Sequence, residues 1–331
     1  MPNPKAPETS IGRIAENLYL ITLDMPFRLR HVNVVACVHD GGVALFDTGL
    51  DLGDTLSRLE DSLRVIGRSL QNIDRIFITH YHADHCGLAG RIKEISGAVI
   101  HMSEVGRQII ENQKDEKQVI DTMKSFYGEH GFTEKAVGGL VALRRYFNKA
   151  TFPFQVDECL DFHREYAIGD TTFEAFPIPG HARDHVCFFF RKEGILLSGD
   201  HILPEVVTNL NPDLSCPEFR SLQAFLDSLT SIENLPITRV LPAHGAPFSN
   251  LKKRVEEIRG HHRERKGLIF DSVKKGPKTA FQVSKDVFGM ALPGFDKFVA
   301  FNEAYAHLLE LKHEGVAREF EKDGQIVYSI D

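Results

Sequence analysis

Thr79-His80-Tyr81-His82-Ala83-Asp84-His85 follows directly on residues 73–78, IDRIFI, a short apolar run of strand character. A strand that ends in three imidazoles and a carboxylate within six residues leaves its loop little freedom except to aim them at a common point. Neutral imidazole and carboxylate suit zinc, iron or manganese, and the lack of cysteine in the ligand pattern argues against a closed structural zinc site. The pattern therefore points to a catalytic metal loop at the end of a buried strand.

Upstream, residues 18–23 and 32–38 are β-rich, the second run closed by the turn His39-Asp40-Gly41-Gly42. Residues 43–46 read as a buried strand running into Asp47-Thr48-Gly49, and residues 54–66 as a helix with Leu56, Leu59, Leu63 and Ile66 at helical spacing. Downstream, residues 88–95 are helical and Val99-Ile100 returns to strand. Residues 172–177, 185–190 and 195–198 repeat the short-strand theme. Strands alternating with helices in this order predict an α/β layered fold.

Three further polar residues stand where strands end. His181 follows Pro177-Ile178-Pro179-Gly180, Asp200 follows Leu196-Leu197-Ser198-Gly199, and His244 lies in Leu241-Pro242-Ala243-His244-Gly245. With the four groups of the first cluster they make seven, the number two metal ions need if positions are to stay open for water and substrate.

The 331-residue chain is 42% hydrophobic and 26% charged, with a formal net charge of −7. It is large enough for a big core plus a smaller unit, and its acidity makes no general case for nucleic-acid or anionic-membrane binding. Cys37, Cys86, Cys159, Cys187 and Cys216 form no C-x-x-C pair, which argues against a disulfide framework and fits a reducing compartment. Met1-Pro2-Asn3-Pro4-Lys5-Ala6-Pro7 shows no apolar leader, and no run of about 18 apolar residues occurs, so a cytoplasmic protein without a membrane partner is expected.

Residues about 103–155 interrupt the α/β rhythm and read as two or more helices carrying Phe126, Tyr127, Phe132, Tyr146 and Phe147, aromatics expected to roof a pocket as a cap. From residue 251 the pattern changes to a long charged helix, a short helix N-capped by Thr279, a third helix over 300–314 ended by Gly315, and a hairpin through Asp323-Gly324. The expected division is a catalytic domain, 1–250, and a winged-helix-like domain, 251–331.

Taken together, Phe46-Asp47-Thr48-Gly49, Thr79-His-x-His-x-Asp-His85, Pro179-Gly180-His181, Ser198-Gly199-Asp200 and Pro242-Ala243-His244-Gly245 resemble the metallo-β-lactamase-fold superfamily of hydrolases, over residues from about 15 to 250. The resemblance implies an αββα sandwich with its site at one edge. It implies that His80, His82 and His181 bind one of two divalent metal ions, that Asp84, His85 and His244 bind the other, and that Asp200 bridges them. Zinc is the expected metal, with iron or manganese as alternatives. Asp47 is implied to hold a ligand or nearby backbone in place. The C-terminal motifs, His262-Arg263-x-Arg265 and Ala304-x-Ala306-His307-Leu308-Leu309 among them, resemble the winged-helix module of a branch that includes mitochondrial and bacterial β-lactamase-like proteins, some of which cleave single-stranded RNA.

Water shared by two cations ionises near neutral pH, and Asp84 is the residue expected to orient it toward a carbonyl or phosphoryl centre. Tyr81, Tyr127 and His201 are candidates for helping the leaving group, and Asn209, in Asn209-Leu210-Asn211-Pro212-Asp213, for a rim loop that touches substrate. The expected activity is hydrolysis of a small ester, thioester or lactone. The alternative is a ribonuclease or phosphodiesterase, for which residues 251–278 offer ten Lys/Arg against four Asp/Glu. Winged modules also dimerise, so a homodimer is a further alternative. No attached flavin or rubredoxin-like segment favours a diiron redox role.

Overall fold

The computed structural model describes residues 10–289 and 292–330; the extreme N-terminal stretch discussed above as lacking a leader lies outside them. In chain order, β1 (Ser10–Arg13), β2 (Leu18–Asp24), β3 (His31–His39) and β4 (Gly42–Phe46) precede α1 (Thr55–Val65) and β5 (Ile73–Phe77). The one-turn α2 (Ala83–Cys86), α3 (Ala89–Ser96) and β6 (Val99–Met102) follow, then three helices, α4 (Glu104–Asn112), α5 (Glu116–Glu129) and α6 (Glu134–Lys149). Strands β7 (Glu158–Cys159), β8 (Glu165–Ile168), β9 (Thr171–Pro177), β10 (Val186–Phe190) and β11 (Ile195–Gly199) lead to α7 (Ser221–Ile232) and β12 (Arg239–Pro242). The chain closes with α8 (Leu251–Val273), α9 (Ala280–Phe288), α10 (Gly294–His313), β13 (Arg318–Lys322) and β14 (Gln325–Ser329).

One sheet runs β1-β2-β3-β4-β5-β6-β7 and the other β12-β11-β10-β9-β8. They face each other across a core rich in phenylalanine: Phe46 and Phe77 from the first sheet meet Phe173, Phe188 and Phe190 from the second, with ring centroids 5.0–6.1 Å apart. The outer face of the first sheet packs on α1 and α3 through Leu59, Leu63 and Ile92. The outer face of the second packs on α7 and the start of α8 through Leu222, Phe225, Leu229, Leu251 and Val255. Helix, sheet, sheet, helix is the αββα sandwich expected, with helical additions.

Several elements were not anticipated. Strands β1, β7 and β8 are short, and β7 is only two residues long, so period-2 alternation had little length in which to register. Helix α7 did carry a signal, since Leu222, Phe225, Leu229 and Ile232 recur at helical spacing and are buried. Helix α10 begins at Gly294, after Pro293, six residues earlier than the apolar pattern suggested. The hairpin starts at Arg318, two residues after the Val316 at which the apolar pattern would begin it, because the N–H groups of Val316 and Ala317 close the end of α10 on the carbonyl of Leu311.

The insertion departs most from expectation. Phe126, Tyr127 and Phe132 join Ile269, Val273, Phe301, Tyr305 and Tyr328 in one core shared by α5, α6 and the C-terminal helices, and the half-buried Phe126 also lines a cleft with Pro212, Leu214 and Tyr305 that contains none of the metal-ligand candidates. Tyr146 and Phe147 pack with Phe27. An aromatic side chain releases the most free energy where it is wholly removed from water, and the C-terminal helices supply that cover. Helix α8 begins at Leu251, where the composition changes, yet its first turns complete the layer over the second sheet and its last turns belong to the shared core. Among the described residues no helix is long and apolar enough to cross a membrane.

Candidate metal centre

Strand direction assembles the site. Strands β4 and β5 are parallel with Phe46 opposite Phe77, so the residues that follow, Asp47 and Thr79, emerge side by side. Strands β9 and β11 both run antiparallel to β10, and β12 runs parallel to β11. The C-terminal ends of β9, β11 and β12 therefore lie on one edge, and they deliver His181, Asp200 and His244. Two backbone bonds join the sheets there, Val186 N–H to the Thr79 carbonyl (2.9 Å) and Asn33 N–H to the Ala243 carbonyl (2.7 Å).

The seven side chains converge in two groups. His80 Nε2 lies 2.9 Å from His82 Nδ1, which lies 3.0 Å from His181 Nε2, and Asp200 Oδ2 is 3.4 Å from His181 Nε2. In the second group His244 Nε2 is 3.4 Å from Asp84 Oδ2, and His85 Nε2 is 3.7 Å from that oxygen. Asp200 turns its other oxygen, Oδ1, to this group, at 3.1 Å from His244 Nε2 and 3.4 Å from His85 Nε2. One carboxylate thus faces both groups, one oxygen to each.

Two donors bound at about 2.1 Å to one tetrahedral ion sit about 3.4 Å apart, close to these spacings. His85 Nε2, His244 Nε2 and Asp200 Oδ1 are buried and face only one another and Asp84, with no further partner among the described residues, an arrangement that a cation between them satisfies. A donor set of imidazole and carboxylate with no thiolate completes the fit to two divalent ions.

Four of the five imidazoles, all but His82, are oriented by their other nitrogen. His85 Nδ1 lies 2.8 Å from Asp47 Oδ2, His181 Nδ1 lies 2.8 Å from the Asn209 carbonyl and 2.9 Å from Thr208 Oγ1, and His244 Nδ1 lies 2.6 Å from the His31 carbonyl. His80 Nδ1 meets Thr79 Oγ1 at 3.0 Å, and that hydroxyl donates to Asp47 at 2.9 Å. Such contacts set the tautomer and raise ligand basicity. Burial alone would lower His244, but the Asp200 and Asp84 carboxylates outweigh it and hold the imidazole at about 10. His85 is raised in the same way, burial being outweighed by Asp200, Asp84 and Asp47. His82, with burial and His181 against it, falls to about 3.

The remaining expected residues fall less simply. Tyr81 is half-buried with its ring 4.6 Å from that of His82. Tyr127 is 3% exposed and packs against Phe132 and Phe301. His201 faces Phe225 of α7 at 4.5 Å rather than an open cleft, and burial followed by His181 lowers it to about 3. Asn209 acts through its carbonyl on His181, while its side chain donates to Asn211 Oδ1 at 2.6 Å.

Other residues of the site were missed. His185 stacks on His80 with centroids 4.6 Å apart and accepts the Asp200 N–H at 3.0 Å. Its position four residues after His181 was a usable signal. Asn33 donates to the carbonyls of Pro242 and Gly245, both at 2.9 Å, and so sets the His244 loop; nothing in its sequence context marks it.

A family model described as the metallo-beta-lactamase superfamily matches residues 27–244. Among curated relatives, the probable metallo-hydrolase YqjP of Bacillus subtilis is 24% identical, over 95% of this chain and 97% of its own. The beta-lactamase-like protein 2 homolog of Caenorhabditis elegans is 25% identical, covering 88% and 82%, and an atrochrysone carboxyl ACP thioesterase of Passalora fulva is 23% identical, covering 86% and 69%. A metallo-beta-lactamase family protein of Thermus thermophilus, known from its crystal structure, superposes with a TM-score of 0.83 at 27% identity, over 95% of this chain and 99% of that one. With the sandwich, the edge site and both donor groups in place, the chain belongs to the metallo-beta-lactamase superfamily and is one of its metal-dependent hydrolases.

Proposed function

We propose that the protein is a two-zinc hydrolase that cleaves a small ester, thioester or lactone in a reducing, cytoplasmic setting where its five thiols stay free. The observation that carries this reading is Asp200, whose two oxygens face the two donor groups at 3.1–3.4 Å. Two ions held there would supply hydroxide at neutral pH and offset the charge that develops on a carbonyl oxygen. Asp200 keeps the two donor groups in register. Asp84, the least buried carboxylate of the centre, holds and orients the attacking water. The thioesterase name of the Passalora fulva relative supports an acyl substrate.

The basic stretch after residue 251 gives the RNA alternative little support, because six of its ten cations are engaged. Arg254 donates to the carbonyls of Leu203 and Val206, Arg259 pairs with Glu233, Arg265 with Glu303, and Lys266 with Glu314. Phosphate binding would have to break these pairs.

Zinc-, iron- and manganese-reconstituted enzyme, assayed on aryl esters, acyl thioesters, lactones, bis-aryl phosphates and single-stranded RNA, tests the reading. Turnover of a carbonyl substrate that disappears in His82→Ala and Asp200→Ala is the expected result. Cleavage of RNA or phosphodiester in preference to every carbonyl substrate would overturn the substrate class, and variants equal to the parent in metal content and rate would overturn the metal centre.

A further inference from the structure

Residues 200–220 join β11 to α7 as irregular chain, and this segment grips a metal-ligand candidate from two sides. The Asn209 carbonyl accepts from His181 Nδ1 at 2.8 Å. Asn211 takes the backbone of the same histidine: its Nδ2 and its own N–H both donate to the His181 carbonyl, at 3.1 and 3.4 Å. A long irregular segment keeps such geometry only where something else holds the segment.

Helix α10 holds it. Asn302 is wholly buried in that helix beside Phe301 and Ala304, a place where an amide is costly unless it is hydrogen-bonded. Its Nδ2 donates to Asn211 Oδ1 at 2.9 Å, while its Oδ1 has no partner among the described residues. The bond to the loop is therefore the one this side chain is placed to make. Asn209 Nδ2 donates to the same Asn211 oxygen at 2.6 Å.

The sense of all three amides follows from one end. A backbone carbonyl can only accept, so Asn211 must turn its NH2 to His181 and its oxygen away. Asn209 and Asn302 must then each present NH2 to that oxygen. Further along α10, Glu310 Oε1 accepts from Arg220 Nε at 3.1 Å, so the same helix also anchors the far end of the segment.

We infer that Asn302 is a positioning residue of the metal centre, which holds His181 in place for the first ion by way of Asn211. The helices after residue 251 are then part of the scaffold of the metal site and not a separate unit packed beside it. The inference rests on the reading of the centre given above.

The test titrates the full-length, metal-free protein with zinc against a chromophoric chelator, and with cobalt(II), whose visible bands report the geometry around each ion. Losing an outer partner of a ligand weakens metal binding about ten- to a hundredfold. That loss, confined to one of the two ions and accompanied by altered cobalt bands, is expected in Asn302→Ala and in Asn211→Ala. Asn302→Asp, which keeps the volume but replaces the donor with an acceptor, should do the same. Because the two asparagines act in series, the Asn211→Ala, Asn302→Ala double variant should bind no more weakly than Asn211→Ala alone. Excess zinc should restore turnover in each single variant. Ile269→Ala, which opens a cavity in the same core from α8, is the control: it should lower the melting temperature and leave zinc affinity near the parent's. Parent-like zinc affinity and cobalt bands in both Asn302 variants would overturn the inference. So would fully additive losses in the double variant, or a loss in Ile269→Ala equal to that in Asn302→Ala. A parent that binds no ion would instead sink the reading of the centre itself.

Discussion

His85 Nδ1 and Asp47 Oδ2 lie 2.8 Å apart, while the other oxygen of Asp47 takes the backbone N–H of Thr79, also at 2.8 Å. One carboxylate therefore ties the end of β4 to the loop after β5 and leaves His85 Nε2 facing Asp84 and Asp200. Asp47 does this with a φ of 60°, a conformation that aspartate and asparagine tolerate better than most residues.

Asp47→Asn keeps that backbone and shape but removes the charge that His85 leans on. Metal affinity at the second donor group should fall about ten- to a hundredfold, read by competition with a chromophoric chelator. Affinity equal to the parent's would mean that His85 is positioned by packing alone.

Without metal, His85 and His244 are held protonated beside Asp84 and Asp200. His244 folds with a value of about 10 against an ordinary 6.5. A folded value above the unfolded one gives stability that is complete below about 6.5 and is lost as pH rises through about 10. Asp84 is lowered to about 2, burial being outweighed by His85 and His244, so its contribution is present above 3.8 and lost as pH falls toward 2. The metal-free protein should therefore lose stability from pH 6.5 to 10. Metal entry must displace these protons, so affinity should rise with pH over the same window. Calorimetry in buffers of different ionisation enthalpy should record proton release; none would refute the pairing.

A methyl group on Gly199 would meet the His185 ring at 2.7 Å, in a backbone with φ of 51°. His185 lies against His80, so the added carbon pushes directly on the first donor group. Gly199→Ala should cost about 2–4 kcal/mol, combining overpacking with the left-handed backbone, and weaken metal binding. Chemical denaturation of the metal-free protein separates the two effects, and unchanged stability would rule out the clash.

Phe301 of α10 is wholly buried among Phe126, Tyr127 and Phe132 of the insertion. Phe301→Ala should cost about 3–5 kcal/mol. Because the insertion and the C-terminal helices share this core, both should unfold in one transition in parent and variant alike, followed by scanning calorimetry. Two separable transitions would show that the regions are independent.

Most of the sandwich was readable along the chain because its central strands are short, apolar and followed at once by a polar turn. The same economy exposed the site, since the ligand residues stand where strands such as Ile73–Phe77 and Ile195–Gly199 stop. His185 and α7 were legible but unread. Asn33 was not legible at all, because its work is to hold the carbonyls of Pro242 and Gly245, some 210 residues further on.

The sequence by itself determined the chemistry of the centre, through residue types packed too closely in Thr79–His85 to serve any other common purpose, and the layered fold, through the alternation of apolar runs. Only the tertiary structure decided what the insertion does. Local pattern records that Phe126, Tyr127 and Phe132 are apolar and must be covered, but not by what. The cover proved to be α9, α10 and β14, brought there by long-range packing.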